Sequence, residues 1–230
     1  MMPVVDLASS TLRELNETLH RLRPDTNDTH WRVLNPRGQH AVAVGIDAPI
    51  LVEVDGHVGY YCGGMNRQAS IVVSGNAGQG VAENMMSGQV HVKGDASQAA
   101  GATGCGGLLV VDGNASARCG ISMKGIDIVV KGSVGHLSAF MAQAGNLVVL
   151  GDAGEALGDS IYEAHLYVRG SVKSLGADCV EKPMEDHHKA DVRRLLDAAG
   201  LNGQIDVASF RRYGSARNLY NFHVDNIGSY

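Results

Sequence analysis

One short phrase of aliphatic residues, glycine and small polar residues returns seven times along this chain, always at the same interval. Its turn glycines lie 19 residues apart, at Gly56, Gly75, Gly94, Gly113, Gly132, Gly151 and Gly170. A fixed period of about 20 residues is typical of solenoids, in which each repeat packs on its two neighbours. This interval constrains the fold more than any other feature of the sequence.

The columns of the repeat predict which solenoid it forms. Two positions before the turn glycine the residue is always valine, and four positions before it is always aliphatic, as in a strand with one face in a core. Seven positions after the glycine only Gly or Ala occurs, which predicts a narrow corner. Helical solenoids are disfavoured because β-branched residues and glycine fill these columns, and left-handed hexapeptide β-helices would need roughly 18 residues per turn. We predict an all-β fold, a right-handed parallel β-helix of seven 19-residue rungs.

The repeat divides the chain into three predicted parts. Residues 1–50 form an N-terminal helix and cap, since Thr11 and Glu14 make a capping box before leucines at helical spacing. Within this cap we expect strands at residues 30–34 and 41–46. The β-helix covers residues 51–180. Residues 181–230 hold a C-terminal helix at about 185–199, with Gly200 ending it, and an extended docking tail.

Composition excludes several classes of partner. The formal net charge of -5 gives no basic footprint for nucleic acid. No apolar run approaches the roughly 20 residues that span a bilayer, and the N-terminus lacks the pattern of a signal peptide. We expect a cytoplasmic protein with neither a nucleic-acid nor a membrane partner.

No constellation of catalytic or metal-binding residues emerges from the sequence. Cys62, Cys105, Cys119 and Cys179 have no metal-ligand spacing, so buried reduced thiols are expected. His187 and His188 lie on the predicted C-terminal helix, where adjacent side chains point in different directions, so solvated helix surface is expected rather than a metal site. We therefore predict no catalytic, cofactor-binding or metal-binding residue on this chain.

An outward column of the strands predicts an interface. Three positions before each turn glycine the side chain points away from the core, and from the fourth rung onward this column is apolar. Such a stripe is usually covered, either by the chain's own C-terminal tail or by a partner, and we favour the partner. The tail is rich in Arg and Tyr, which are enriched at interfaces. The predicted interface residues are Val72, Val110, Val129, Val148, Tyr167, Arg212, Tyr213, Arg217 and Tyr220.

The rungs also carry a recognisable glycine motif. They read Gly-x-x-Gly-x-x-x-Gly/Ala, as in Gly56, Gly59 and Gly63, with the middle glycine replaced by Ser97 and Ser116 in two rungs and by Lys173 in the last. This pattern resembles the GXGXG domain, a right-handed β-helix at the C-terminus of the large subunit of glutamate synthase. The resemblance covers about residues 6–180.

The arrangement around the motif is similar to the stand-alone GXGXG subunit of N-methylglutamate synthase (methylamine–glutamate N-methyltransferase). This resemblance implies a structural, non-catalytic subunit of a hetero-oligomer that turns methylamine and glutamate into N-methylglutamate and ammonia. FMN and an iron–sulfur cluster would belong to a synthase partner, and the nucleophile to a glutamine amidotransferase-like partner. The alternatives are a GXGXG subunit of an ammonia-dependent glutamate synthase or of a formylmethanofuran dehydrogenase-like complex, or an independent β-helix enzyme.

Overall fold

The chain forms a parallel β-solenoid of about seven turns. In this computed structural model, which describes residues 2–217, eleven strands join in one sheet of order β1-β2-β3-β4-β5-β6-β7-β8-β9-β11-β10. The strands are β1 (Val4–Asp6), β2 (His30–Leu34), β3 (Leu51–Asp55), β4 (Ser70–Val73), β5 (Gln89–Val92), β6 (Leu108–Val111), β7 (Lys124–Val130), β8 (Ala144–Val149), β9 (His165–Val168), β10 (Cys179–Lys182) and β11 (Arg211–Ser215). Two helices, α1 (Leu12–His20) and α2 (Asp186–Ala198), flank the repeat. The predicted all-β parallel β-helix is confirmed.

The strand register stacks identical columns on one another. Val52 pairs with Ile71, and Ile71 with Val90, so each pairing joins residues one period apart. Both inner columns, four and two positions before the turn glycine, are 0% exposed in every rung. A sequence period equal to the length of one coil therefore produces one continuous apolar core along the rod.

Each coil turns through a corner of left-handed residues. In the third rung Ala99, Gly101 and Thr103 have φ angles of 58°, 69° and 54°. Their amides donate to neighbouring coils, from Ala99 N to Ala117 O at 3.0 Å and from Gly101 N to Val81 O at 2.8 Å. The left-handed backbone is costly for non-glycine residues, and these repeated hydrogen bonds offset the cost.

The polar column just after the turn glycine forms a ladder. Asp95 Oδ1 accepts a hydrogen bond from Asn114 N at 2.7 Å, and Asn114 Oδ1 accepts one from Ser133 N at 2.9 Å. Asn76, Ser133 and Asp152 accept equivalent bonds from the amide of the next rung. The short polar residues that follow the turn glycines therefore satisfy backbone amides between coils.

Replacing Asn114 with alanine should lower the free energy of unfolding by about 1 kcal/mol, because the Ser133 amide loses its acceptor. Asn114→Ser is the matched control, since serine already accepts this bond at Ser133 and adds no charge beside Asp95. Urea denaturation monitored by circular dichroism measures both variants. Equal destabilisation by the two substitutions would contradict the ladder.

The N-terminal cap is itself part of the coil. The capping box of Thr11 and Glu14 starts α1 as predicted, and β2 pairs in parallel with β3. The predicted strand at residues 41–46 is wrong. Ala41, Ala43 and Gly45 have φ angles of 56°, 55° and 63°, so this segment forms the left-handed corner of an earlier coil. Alternation of small and apolar residues occurs in strands and in these corners, so the pattern does not separate them.

The C-terminal segment closes the other end of the rod. After β10 the chain forms α2, whose C-cap is Ala199, and Gly200 follows with a φ of 78°, as predicted for the helix end. The chain then makes a 3-10 turn at Val207–Ser209 and returns as β11, antiparallel between β9 and β10. Part of the predicted extended tail is therefore a strand that pairs with the last parallel strand of the sheet.

Candidate functional site

The outer face of the sheet carries the predicted apolar stripe, and α2 covers it. The stripe residues Val110, Val129, Val148 and Tyr167 are all 0% exposed. They pack against one face of α2 and against the residues that follow it, namely Val192, Leu195, Leu196, Ala199, Val207 and Phe210. The interpretation that a partner covers these four positions is therefore wrong. Burial of apolar area against the chain's own helix explains why the column is aliphatic here.

A polar contact fixes α2 along the rod. Arg194 on the helix pairs with Asp127 on β7 at 3.2 Å, and Asn146 donates to the same carboxylate from the next strand at 2.7 Å. The carboxylate is mostly shielded, with 19% of its side chain exposed. The apolar contacts hold α2 on the sheet, and the Arg194–Asp127 pair fixes its position along the sheet.

The remaining predicted interface residues lie in different places. Val72 lies on the part of the outer face outside the apolar cluster with α2 and is part-buried. Arg212 is part-buried and donates to Pro183 O at 3.2 Å, whereas Tyr213 is only 2% exposed. Arg217 is exposed and pairs with Asp178. Tyr220 lies outside the described residues. Val72 and Arg217 retain the exposure that an interface requires, and their role stays a prediction.

An ion-pair network lies beside Val72 on the outer face. The Asp112 carboxylate contacts His91 Nε2 at 2.8 Å and Lys131 Nζ at 2.7 Å, and Lys93 lies at 3.7 Å. Burial raises the pKa of Asp112, but the hydrogen bonds from Lys131 and His91 outweigh it and hold the pKa below its usual value. The network joins three adjacent strands and borders the uncovered surface.

A buried polar cluster lies beneath the beginning of α2. The rings of His165 on β9 and His188 on α2 are 5.2 Å apart, edge to face, and the Tyr167 ring is 6.3 Å from His188. Burial first, and then the charge of Arg212, lowers the pKa of His165 from 6.5 to about 4. His165 is therefore a neutral imidazole at neutral pH.

Several groups of this cluster lack partners. Among residues 2–217, four buried side-chain polar atoms have no hydrogen-bond partner, and Asn146 Oδ1, Tyr167 Oη and Arg212 Nε are three of them. Tyr167 lies opposite Arg212 in the β9–β11 register, and Asn146 lies opposite His165 in β8–β9. Buried polar groups are normally satisfied by protein, water or ligand. This cluster is the one place in the described chain where several such groups meet.

The two adjacent histidines of α2 differ in their surroundings. The expectation of solvated surface is wrong for His188, which is 3% exposed, whereas the His187 side chain is 63% exposed. Ligand-type atoms of Glu185, His187 and His188 lie within 4.8 Å of one another. The helical spacing predicted different directions for these adjacent side chains, whereas their ring centroids are 3.8 Å apart, so the grouping was missed.

The cysteines are mostly buried, as predicted. Cys62 and Cys119 are 0% exposed, and burial raises the pKa of each thiol from 9.0 to about 12. Burial likewise raises the pKa of Cys179 to about 11. The prediction is wrong for Cys105, which is exposed. The three buried thiols are poor nucleophiles because they stay protonated at neutral pH.

A full-length comparison places the chain in a family. Protein GlxC of Rhizobium meliloti (strain 1021) is 62% identical to this chain over 229 residues, which cover 100% of both proteins. The chain belongs to the GlxC protein family. No family model and no solved structure match it.

The alignment with GlxC covers every element of the structure. Because the aligned residues span the rod, α2 and the C-terminal strand, the cover on the outer face lies within the part that the GlxC relative shares. No helix among residues 2–217 of this GlxC-family chain is long and apolar enough to cross a bilayer. The name of this relative, Protein GlxC, states no activity.

Proposed function

We propose that this chain is a structural, non-catalytic subunit of a glutamate synthase-like flavoprotein complex in the cytoplasm. The observation that carries the proposal is the role of the glycine motif, which lets each coil pack closely on the coil before it. The middle glycines Gly78, Gly135 and Gly154 lie so close to the coil before them that an added Cβ would be 2.5–2.8 Å from its backbone atoms. The recurring residues therefore serve the stacking of coils, which is the role of a scaffold.

The finer form of the proposal is a subunit of N-methylglutamate synthase. In that reaction methylamine replaces the amino group of glutamate, which gives N-methylglutamate and ammonia without net oxidation or reduction. The GXGXG resemblance supports this assignment. FMN and the iron–sulfur cluster would be held by a synthase-like partner, and a glutamine amidotransferase-like chain would be the other partner.

Val72 and Arg217 are the residues through which we expect contact with these partners. Both are accessible, and Val72 adjoins the His91–Asp112 network on the outer face. An apolar side chain beside a charged rim is the usual anatomy of a hetero-oligomer interface. The α2 cover would then form one border of the docking surface.

Purification of the chain alone and together with the two partner chains tests the proposal. Alone, it should show neither flavin nor iron–sulfur absorbance and no turnover of methylamine. Together, the three chains should co-purify and form N-methylglutamate, and Val72→Asp should weaken co-purification while the isolated variant stays folded by circular dichroism. Stoichiometric FMN on the isolated chain, or full activity of the partners without it, would contradict a structural subunit.

A further inference from the structure

The beginning of α2 docks on the sheet through a group of basic side chains. His165 on β9 packs against His188 in the first turn of α2, with ring centroids 5.2 Å apart, and the His188 ring lies 3.8 Å from that of His187. Arg212 on β11 is close enough for its charge to act on both His165 and His188. Three imidazoles and one guanidinium therefore meet where the helix contacts the sheet.

The hydrogen bond of His188 requires a neutral ring. Its Nδ1 accepts a hydrogen bond from the backbone amide of Glu185 at 3.2 Å, so the one proton of the imidazole lies on Nε2. A proton added to Nδ1 breaks this bond, which belongs to the capping box of α2. The ring is only 3% exposed, so a charge placed on it also loses most of its hydration.

The surroundings of His165 oppose a positive charge on that ring too. Burial first, and then the charges of Arg212, His188 and His187, lowers the pKa of His165 from 6.5 to about 4. The positive end of the α2 dipole acts in the same direction. Tyr167, whose ring centroid is 6.2 Å away, brings no compensating charge, because burial raises the pKa of its hydroxyl.

The acidic side chains around the two histidines are too few to reverse this effect. Asp191 on α2 is the negative group that raises the pKa of His165, and Glu185 and Asp191 act in the same way on His188. Burial and the positive groups outweigh them, since the pKa of each histidine lies below its usual value. Asn146, opposite His165 on β8, is uncharged.

We propose that His165 and His188 make the α2 cover a pH-sensitive latch, in which neutral rings allow the helix to dock and protonated rings release it from the sheet. The apolar stripe at Val110, Val129 and Val148 lies under the same helix. Release of α2 therefore exposes that stripe, while the coils beneath keep their own core. The latch is independent of the proposed function, because it concerns only contacts within this chain.

Acid is the condition that opens the latch, because the closed state binds the proton of His165 less well than the open state. With an ordinary pKa of 6.5 in the open state and about 4 in the closed state, docking is most stable above pH 6.5 and weakens as the pH falls toward 4. From about pH 7.5 to about pH 5 we expect the opening equilibrium to rise between about tenfold and about 30-fold. The lower figure allows for screening by water at this part-buried ring.

Hydrogen exchange of the full chain, corrected for the pH dependence of the chemical step, tests the latch. We expect the amides of residues 186–198 to lose protection at about pH 5, while those of strands β3 to β6 keep theirs. His165→Gln, a polar side chain that cannot be charged, should remove most of this extra opening. His136→Gln is the matched control, since His136 is an exposed histidine on the rod and its loss should leave the pH dependence unchanged.

Two measurements on the parent chain need no variant and decide the outcome even where His165→Gln does not fold. NMR titration should give His165 a pKa well below 6.5, and the apolar dye ANS should bind at about pH 5 with the far-UV circular dichroism retained. A His165 pKa at its ordinary value, or equal pH dependence of α2 exchange in the parent and His165→Gln, would overturn the proposal. Loss of protection throughout the rod at the same pH would also contradict it, because the latch opens α2 alone.

Discussion

Gly101→Val is expected to lower the free energy of unfolding by about 2–5 kcal/mol, the sum of overpacking and a left-handed β-branched residue. Gly101 has a φ of 69°, and an added Cβ would lie 2.6 Å from Ile128 Cδ1 in the core. Both the backbone and the packing therefore oppose a larger side chain. Chemical denaturation followed by circular dichroism measures the loss.

Gly120→Ala is the matched control because Gly120 lies in the same column with the same φ of 69°. An added Cβ there meets Met123 Sδ at 3.2 Å, which is the end of a flexible side chain. Alanine already occupies this column at Ala82 and Ala139, each with a φ of 57°. We expect a loss of about 1–2 kcal/mol, the usual cost of a left-handed L-residue. Equal losses in the two variants would show that the narrow corner does not govern stability.

Val129→Asp should detach α2 from the rod, at a cost of at least about 3 kcal/mol. Burial of a valine contributes about 1.5 kcal/mol or more, and a buried carboxylate without a partner adds a larger penalty. Val129 is 0% exposed under the helix, whereas its neighbour Val130 faces the inner core and is unchanged. The rod should therefore stay folded while the amides of residues 186–198 lose protection from hydrogen exchange.

Val72→Asp is the control for this experiment. Val72 occupies the same outward column three rungs earlier, on a part of the sheet where it is only part-buried and outside the cluster with α2. We expect its isolated chain to lose about 1 kcal/mol, well below the loss for Val129→Asp, because Val72 is only part-buried. If Val129→Asp leaves the hydrogen exchange of the α2 amides unchanged, the apolar stripe does not hold the helix on the sheet.

At the candidate site, the sequence predicted which surface is apolar but not what covers it. The alternation along the strands identified Val110, Val129 and Val148 as an outward apolar stripe, and that stripe exists. Whether the chain or a partner covers it depends on the path of residues 183–210, which no local pattern specifies. The cover is decided by the fit of α2 and by the Arg194–Asp127 pair, which joins residues 67 positions apart.

The polar groups under α2 were not predictable for a related reason. His165 and His188 lie on different elements, and their approach to 5.2 Å follows from the docking of the helix. Neither residue belongs to a motif with a recognisable spacing. The grouping of Glu185 with His187 also depends on the backbone at the helix start, because Glu185 is extended while the helix begins at Asp186.

The sequence by itself determined the period, the core columns and the parallel stacking of this protein. A 19-residue repeat places valine on valine in every coil, and only stacked strands bury such columns together. Only the tertiary structure decided the left-handed corners, such as Thr103 and Leu137, because residues without glycine's freedom adopt them when hydrogen bonds between coils compensate the cost. It also decided that α2 covers the outer face, because docking depends on contacts between residues far apart in the chain.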